Sequence, residues 1–241
     1  MSETPGDPYV PGAAAPTERT RLRMLPGLGA VAAVAVALWG GGAFTSHATA
    51  RSWEDAREFA GVDRLVIDNR APGDVRVSLS EGGGGLTLDR AVRESMLNPA
   101  DIDVADEGDG GTVWADSRCA RSWPGLGTCS VDYRAAGPST TAVDLSTRSG
   151  GIVVTGLSTE AAAESSGGDI TIEATPRVAS ISARAGAGDV TVTVPEGSGP
   201  FRVTGRSESG ERTIAVRTTT KASAPTFDVS TSSGDVAVHY R

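Results

Sequence analysis

The sequence predicts an all-β protein: a β-solenoid (parallel β-helix-like) ectodomain behind one N-terminal transmembrane helix. Three observations carry that expectation. A Gly-Asp-aliphatic phrase recurs at Gly73-Asp74-Val75, Gly168-Asp169-Ile170, Gly188-Asp189-Val190 and Gly234-Asp235-Val236. Apolar residues alternate with polar ones on both sides of each phrase, the period of a half-buried strand. A single uncharged run, Leu25 to Phe44, precedes all of it.

Residues 1–24 are polar and rich in Pro, Ala and Thr, too poor in apolar groups to offset chain entropy. They read as a disordered cytoplasmic tail. Residues 25–44 are long enough, as a helix of about 30 Å, to match the hydrocarbon core of a bilayer. Trp39 suits the far interface, and Arg19, Arg21 and Arg23 keep the N-terminus in the cytoplasm. The reading is a single-pass plasma-membrane protein with residues 45–61 as a juxtamembrane linker and 62–241 as the extracytoplasmic domain. The rival is secretion after cleavage near Ala50, where Ala48-Thr49-Ala50 fits a small-x-small site. A buried core helix without a polar face would need a large surrounding core. No Cys follows the run until Cys119, which argues against a lipoprotein anchor.

Cys119 and Cys129 are the two cysteines of the chain. They flank a Trp-Pro-Gly-Leu-Gly stretch and read as a structural disulfide of an oxidising compartment. A close Cys-x-x-Cys redox pair is absent. The disulfide falls in an irregular insertion at about 80–135, with strand candidates at 86–88, 101–105, 112–116 and 129–133.

The repeat carries most of the fold argument. Alternating pairs start at Val143, Ala161, Ile181, Phe201 and Phe227, in steps of 18, 20, 20 and 26 residues. The second residue of the pair lies six positions before the Asp position in four copies: Leu145 to Gly151, Ala163 to Asp169, Ala183 to Asp189 and Val229 to Asp235. A unit of about 20 residues cannot bury a core alone, but stacked units can. An antiparallel sandwich also fits short strands at this spacing. It has no reason to repeat its turns, which favours the solenoid. Leu65-Val66-Ile67 with Gly73-Asp74 reads as an outlying first coil. The last repeat runs nearly to Arg241 without a cap, so its strand edges are expected to dock against a partner or another copy.

Composition narrows function. There are 22 basic and 30 acidic residues, a net charge of −8 and a pI near 4.8, which argues against nucleic acid as a partner. Two His and two Cys leave little for a zinc site, and 5% aromatics leave little for a large cofactor pocket. No catalytic or cofactor-binding residue stands out. Asp74, Asp169, Asp189 and Asp235 read as repeat-turn residues, with Gly allowing positive φ and Asp accepting a backbone N–H two residues on. Stacked in register they would lie about 5 Å apart, so calcium, or paired carboxylates for glycan hydrolysis, are the sharper alternatives. The Asp copies lack the nonapeptide spacing of calcium rolls, and no aromatic sugar platform accompanies them.

The polybasic lead, single span and Ser-Gly-Asp-Ile/Val-x-Val repeats resemble a bacterial β-strand-repeat domain family of unknown function that carries the name putative adhesin. The resemblance covers about residues 62–241 and implies a binding role at the cell surface, with no family catalytic residue to transfer. The expected function is a membrane-anchored, adhesin-like, non-enzymatic binding or structural protein of the envelope. Its partners would be the bilayer through residues 25–44 and an envelope protein or wall polymer. An extracytoplasmic carbohydrate-active enzyme and a sensory ectodomain with a cytoplasmic partner are the alternatives.

Overall fold

The computed structural model describes residues 50–82, 84–107, 111–120 and 127–241. The expected tail and transmembrane segment lie outside them. Among the described residues every regular element is a strand, and no helix is long and apolar enough to cross a membrane. In chain order the strands are β1 (Arg51–Phe59), β2 (Arg64–Pro72), β3 (Val75–Ser80), β4 (Leu86–Glu94), β5 (Ala100–Glu107), β6 (Thr112–Cys119), β7 (Cys129–Pro138), β8 (Ala142–Ser149), β9 (Ile152–Leu157), β10 (Glu160–Gly167), β11 (Ile170–Ala174), β12 (Ser180–Ala187), β13 (Val190–Val194), β14 (Arg202–Ser207), β15 (Arg212–Ala215), β16 (Thr226–Ser233) and β17 (Val236–Tyr240).

They form two sheets. The eight-stranded sheet has the order β14-β16-β12-β10-β8-β2-β6-β5, and the nine-stranded sheet β1-β4-β7-β3-β9-β11-β13-β17-β15. A coil is one strand in the first sheet followed by one in the second, and neighbouring coils pair in parallel. Antiparallel pairing is confined to β1, β4 and β5, which close one end. Aliphatic positions of successive coils coincide: Ile152, Ile170, Val190 and Val236 form one inward column, each at most 1% exposed. Ile172, Val192 and Val238 continue the next column. At about 25 cal/mol per Å² of apolar surface, each such side chain contributes about 1.5–3 kcal/mol by burial. The inward row is why the period-two pattern folds into a solenoid.

The order of coils is not the order of the chain. The β2–β3 coil lies inside the stack, between β6–β7 and β8–β9, rather than at its edge. The chain leaves β3, builds β4, β5 and the β6–β7 coil at one end, then returns to lay β8 on the other side of β2. The supposed irregular insertion is therefore a full coil with two antiparallel strands. The same manoeuvre occurs at the other end. The β14–β15 coil is outermost, and the C-terminal β16–β17 coil is inserted between it and β12–β13. The expectation of an uncapped C-terminal repeat is thereby corrected, because the degenerate copy starting at Phe201 covers it. Phe201 stacks on Phe227 at 4.6 Å between ring centroids and closes that end. The linker expected at 45–61 also differs: Arg51 to Phe59 is a strand, laddered to β4 along its whole length.

Candidate functional site

The repeated Asp residues sit in one row at the corner joining the two sheets. Each uses Oδ1 to accept a backbone N–H from the neighbouring coil. Asp189 N donates to Asp169 at 2.9 Å, Asp235 N to Asp189 at 2.8 Å, and Glu211 N to Asp235 at 2.7 Å. On the other side Gly151 N donates to Asp74 at 2.9 Å and Asp74 N to Asp132 at 2.9 Å. The bond expected within one turn runs between coils instead. It does so because the corner stacks in register, which brings the amides of Asp74, Gly151, Asp189, Asp235 and Glu211 over the carboxylate of the neighbouring coil. Asp132 belongs to the row and escaped the sequence reading because no Gly precedes it.

The Gly of the phrase has its reason in the same stacking. A Cβ at Gly188 would lie 2.5 Å from the Gly168 carbonyl oxygen, and φ there is +135°. Gly73 and Gly234 have φ of 142° and 140°, and Cβ atoms at Gly73, Gly150, Gly168, Gly210 and Gly234 would also meet the preceding coil's carbonyl well inside van der Waals contact.

Behind the corner runs a second row that points inward. Asn69, Thr147, Ser165, Ala185, Thr231 and Ser207 occupy one register position on successive coils. Thr147 donates to Gly73 O, Ser165 to Gly150 O, Thr231 to Gly188 O and Ser207 to Gly234 O, at 2.7–3.3 Å. Asn69 Nδ2 donates to Gly73 O and Val131 O, while its Oδ1 accepts from Ser117 Oγ at 2.7 Å. Buried polar groups are tolerated when so paired. Ala185 interrupts the row. Ala185→Ser is expected to extend it to the Gly168 carbonyl and raise stability by about 0.5–1.5 kcal/mol in denaturant titration.

The outward faces differ in chemistry. The eight-stranded sheet carries ion pairs along its length: Arg64 with Asp144 at 3.1 Å, and Arg184 with Asp228 at 3.0 Å and Glu164 at 3.4 Å. Arg70 pairs with Asp68 at 2.5 Å. Burial pushes the Asp68 carboxyl upward, but hydrogen bonds from Arg70 and Ser146, with the charges of Arg70 and Arg148, outweigh it and hold the group below its ordinary range. A depressed folded-state value stabilises the fold above the unfolded carboxylate pKa of about 3.9 and is lost as pH falls through the folded one. Asp68→Asn is therefore expected to narrow the fall in melting temperature between neutral pH and about pH 2.

The nine-stranded sheet presents hydroxyls instead. Val153, Thr171, Thr191, Ala237 and Thr213 form one outward row, and Thr155, Glu173, Thr193 and His239 the adjoining one. Over β9, β11, β13, β17 and β15 the only charge in these rows is Glu173, while toward the other end the first row continues as Arg76 and Arg134; a Thr in a strand is rigid at χ1.

Cys119 and Cys129 form a disulfide with Cα atoms 6.0 Å apart, joining the end of β6 to the start of β7. At the same end Arg90, an inward residue of β4 in line with Leu88 and Val92, is buried and pairs with Asp55 of β1. Among the described residues no group of three or more His, Cys, Asp or Glu is placed to hold a metal ion.

Residues 125–239 match the model of the Toastrack DUF4097 family. No curated protein matches. A Clostridium sporogenes structure solved as a putative cell adhesion protein superposes with a TM-score of 0.55 at 12% identity, covering 79% of this chain and 100% of that one. A Bacteroides fragilis structure solved as a putative adhesin gives 0.37 at 12% identity, with 79% and 97% covered. At such identity the first likeness shows the fold alone. The resemblance read from the Gly-Asp repeats is to this same β-repeat family.

Proposed function

We propose, for a chain whose residues 125–239 carry the Toastrack DUF4097 match, an adhesin-like, non-enzymatic binding role at the cell envelope. The solenoid is held outside the plasma membrane by residues 25–44 and offers the threonine rows of its nine-stranded sheet to an envelope protein or wall polymer. The observation that carries this reading is the in-register row Val153, Thr171, Thr191, Ala237 and Thr213, an uncharged five-strand stretch repeated at strand spacing and bounded on one side by Arg76. Repetition of one outward chemistry on a stiff stack suits a partner that is itself extended. The Asp row, which a glycan hydrolase on this scaffold would use, has its Oδ1 atoms engaged by amides.

The test is co-sedimentation of the full-length protein with isolated cell-wall material. Thr171→Arg with Thr191→Arg is expected to lower the bound fraction at least about tenfold while costing about 1 kcal/mol or less, since the two Arg would stand side by side on β11 and β13. Unchanged binding by this double variant contradicts the assignment of the face.

A further inference from the structure

We infer that the turn between β4 and β5 is a lipid-contacting foot that seats the ectodomain on the bilayer interface; this rests on the membrane-anchor reading above. Four large hydrophobic residues stand exposed among the described residues, and three gather at one corner: Met96 at 75%, Leu97 at 48% and Trp53 at 40%. Trp53 Nε1 donates to Glu94 Oε1 at 3.3 Å, so the indole lies beside the strand end that leads into Met96-Leu97.

The tip is braced rather than loose. Asn98 N donates to Ser95 O at 3.0 Å, Thr128 N to Ser95 Oγ at 3.2 Å, and Ala100 N to Glu94 Oε2 at 2.9 Å. Ala120 N donates to Pro99 O at 3.0 Å, next to the Cys119–Cys129 disulfide. An apolar pair held rigidly outward calls for a cover. Chain length names it. Arg51 is paired with Glu94, and the apolar run ends at Phe44. The seven steps from Phe44 to Arg51 can span at most about 25 Å, so the start of β1 stays that close to the point where a membrane span would emerge. Trp and aliphatic side chains settle at the headgroup boundary.

The experiment uses the full-length chain in vesicles of phosphatidylcholine and phosphatidylglycerol containing lipid spin-labelled near the headgroup. A nitrobenzoxadiazole label is attached through M96C or, at the opposite end of the solenoid, S209C. The label at position 96 is expected to shift to the blue and lose about half or more of its emission, the depth of an interfacial contact, while that at 209 keeps its own. A protein that floats with the vesicles after carbonate washing, yet shows no quenching at 96 or equal quenching at both sites, overturns the foot and leaves the anchor standing. A protein that fails to float removes the anchor reading and the foot with it.

Discussion

Gly188→Ala is expected to cost about 3 kcal/mol or more, a drop in melting temperature of about 6–12 °C for a domain of this size. Two effects combine there. The Cβ would lie 2.5 Å from the Gly168 carbonyl oxygen, and the residue sits at φ +135°. Two companion variants separate them. Gly197 has φ +79° and open space, so Gly197→Ala carries backbone strain alone, about 1 kcal/mol. Gly168 lacks the positive φ but stacks even closer on Gly150 O, so Gly168→Ala carries the collision alone, about 2–3 kcal/mol. Denaturant titration should rank them Gly188, Gly168, Gly197. Equal losses at all three would mean that coil-to-coil contact is not what the repeated Gly serves.

Asn69→Asp changes one donor into an acceptor in a fully buried site. The amide of Asn69 faces the carbonyl oxygens of Gly73 and Val131, so a carboxylate there meets two acceptors and no solvent. The variant is expected to lose about 3 kcal/mol or more at neutral pH. Burial raises the new carboxyl's pKa above its unfolded value, so protonation restores a donor and the loss shrinks as pH falls toward about 4. Stability curves for the two proteins at neutral and acid pH check this, and a pH-independent difference would contradict it.

The strands and their inward faces were readable because Val, Ile and Phe alternate so regularly around each Gly-Asp. The inner polar row was readable too, since Thr147, Ser165, Thr231 and Ser207 each stand three residues before the Gly of their copy. It was obscured by Ala185 and by Asn69, which lies four before Gly73. Strand β1 was not legible. Its residues, Arg51-Ser52-Trp53-Glu54-Asp55-Ala56-Arg57, bear no buried face, and it is held by its ladder to β4 and by the carboxylate that Asp55 gives the buried Arg90. Coil order was also hidden, because every copy carries the same turn and any two can stack. The 26-residue step between Phe201 and Phe227 was its one trace, the extra chain serving the return past the outermost coil. The outward faces were legible as residue types but not as two separate chemistries, since that depends on which strand enters which sheet.

The account depends most on that stacking order, which decides which Asp bonds to which amide and which edges are covered. Engineered disulfides read it directly. Thr191 pairs with Ala237 across adjacent strands, while Thr213 lies one strand further, about 10 Å from Thr191. The T191C/A237C protein should form a new disulfide under mild oxidation, found by mass spectrometry of non-reduced peptides, and the T191C/T213C protein should not. A disulfide in T191C/T213C and none in T191C/A237C would mean that the coils stack in chain order, and the corner ladder described here would be wrong.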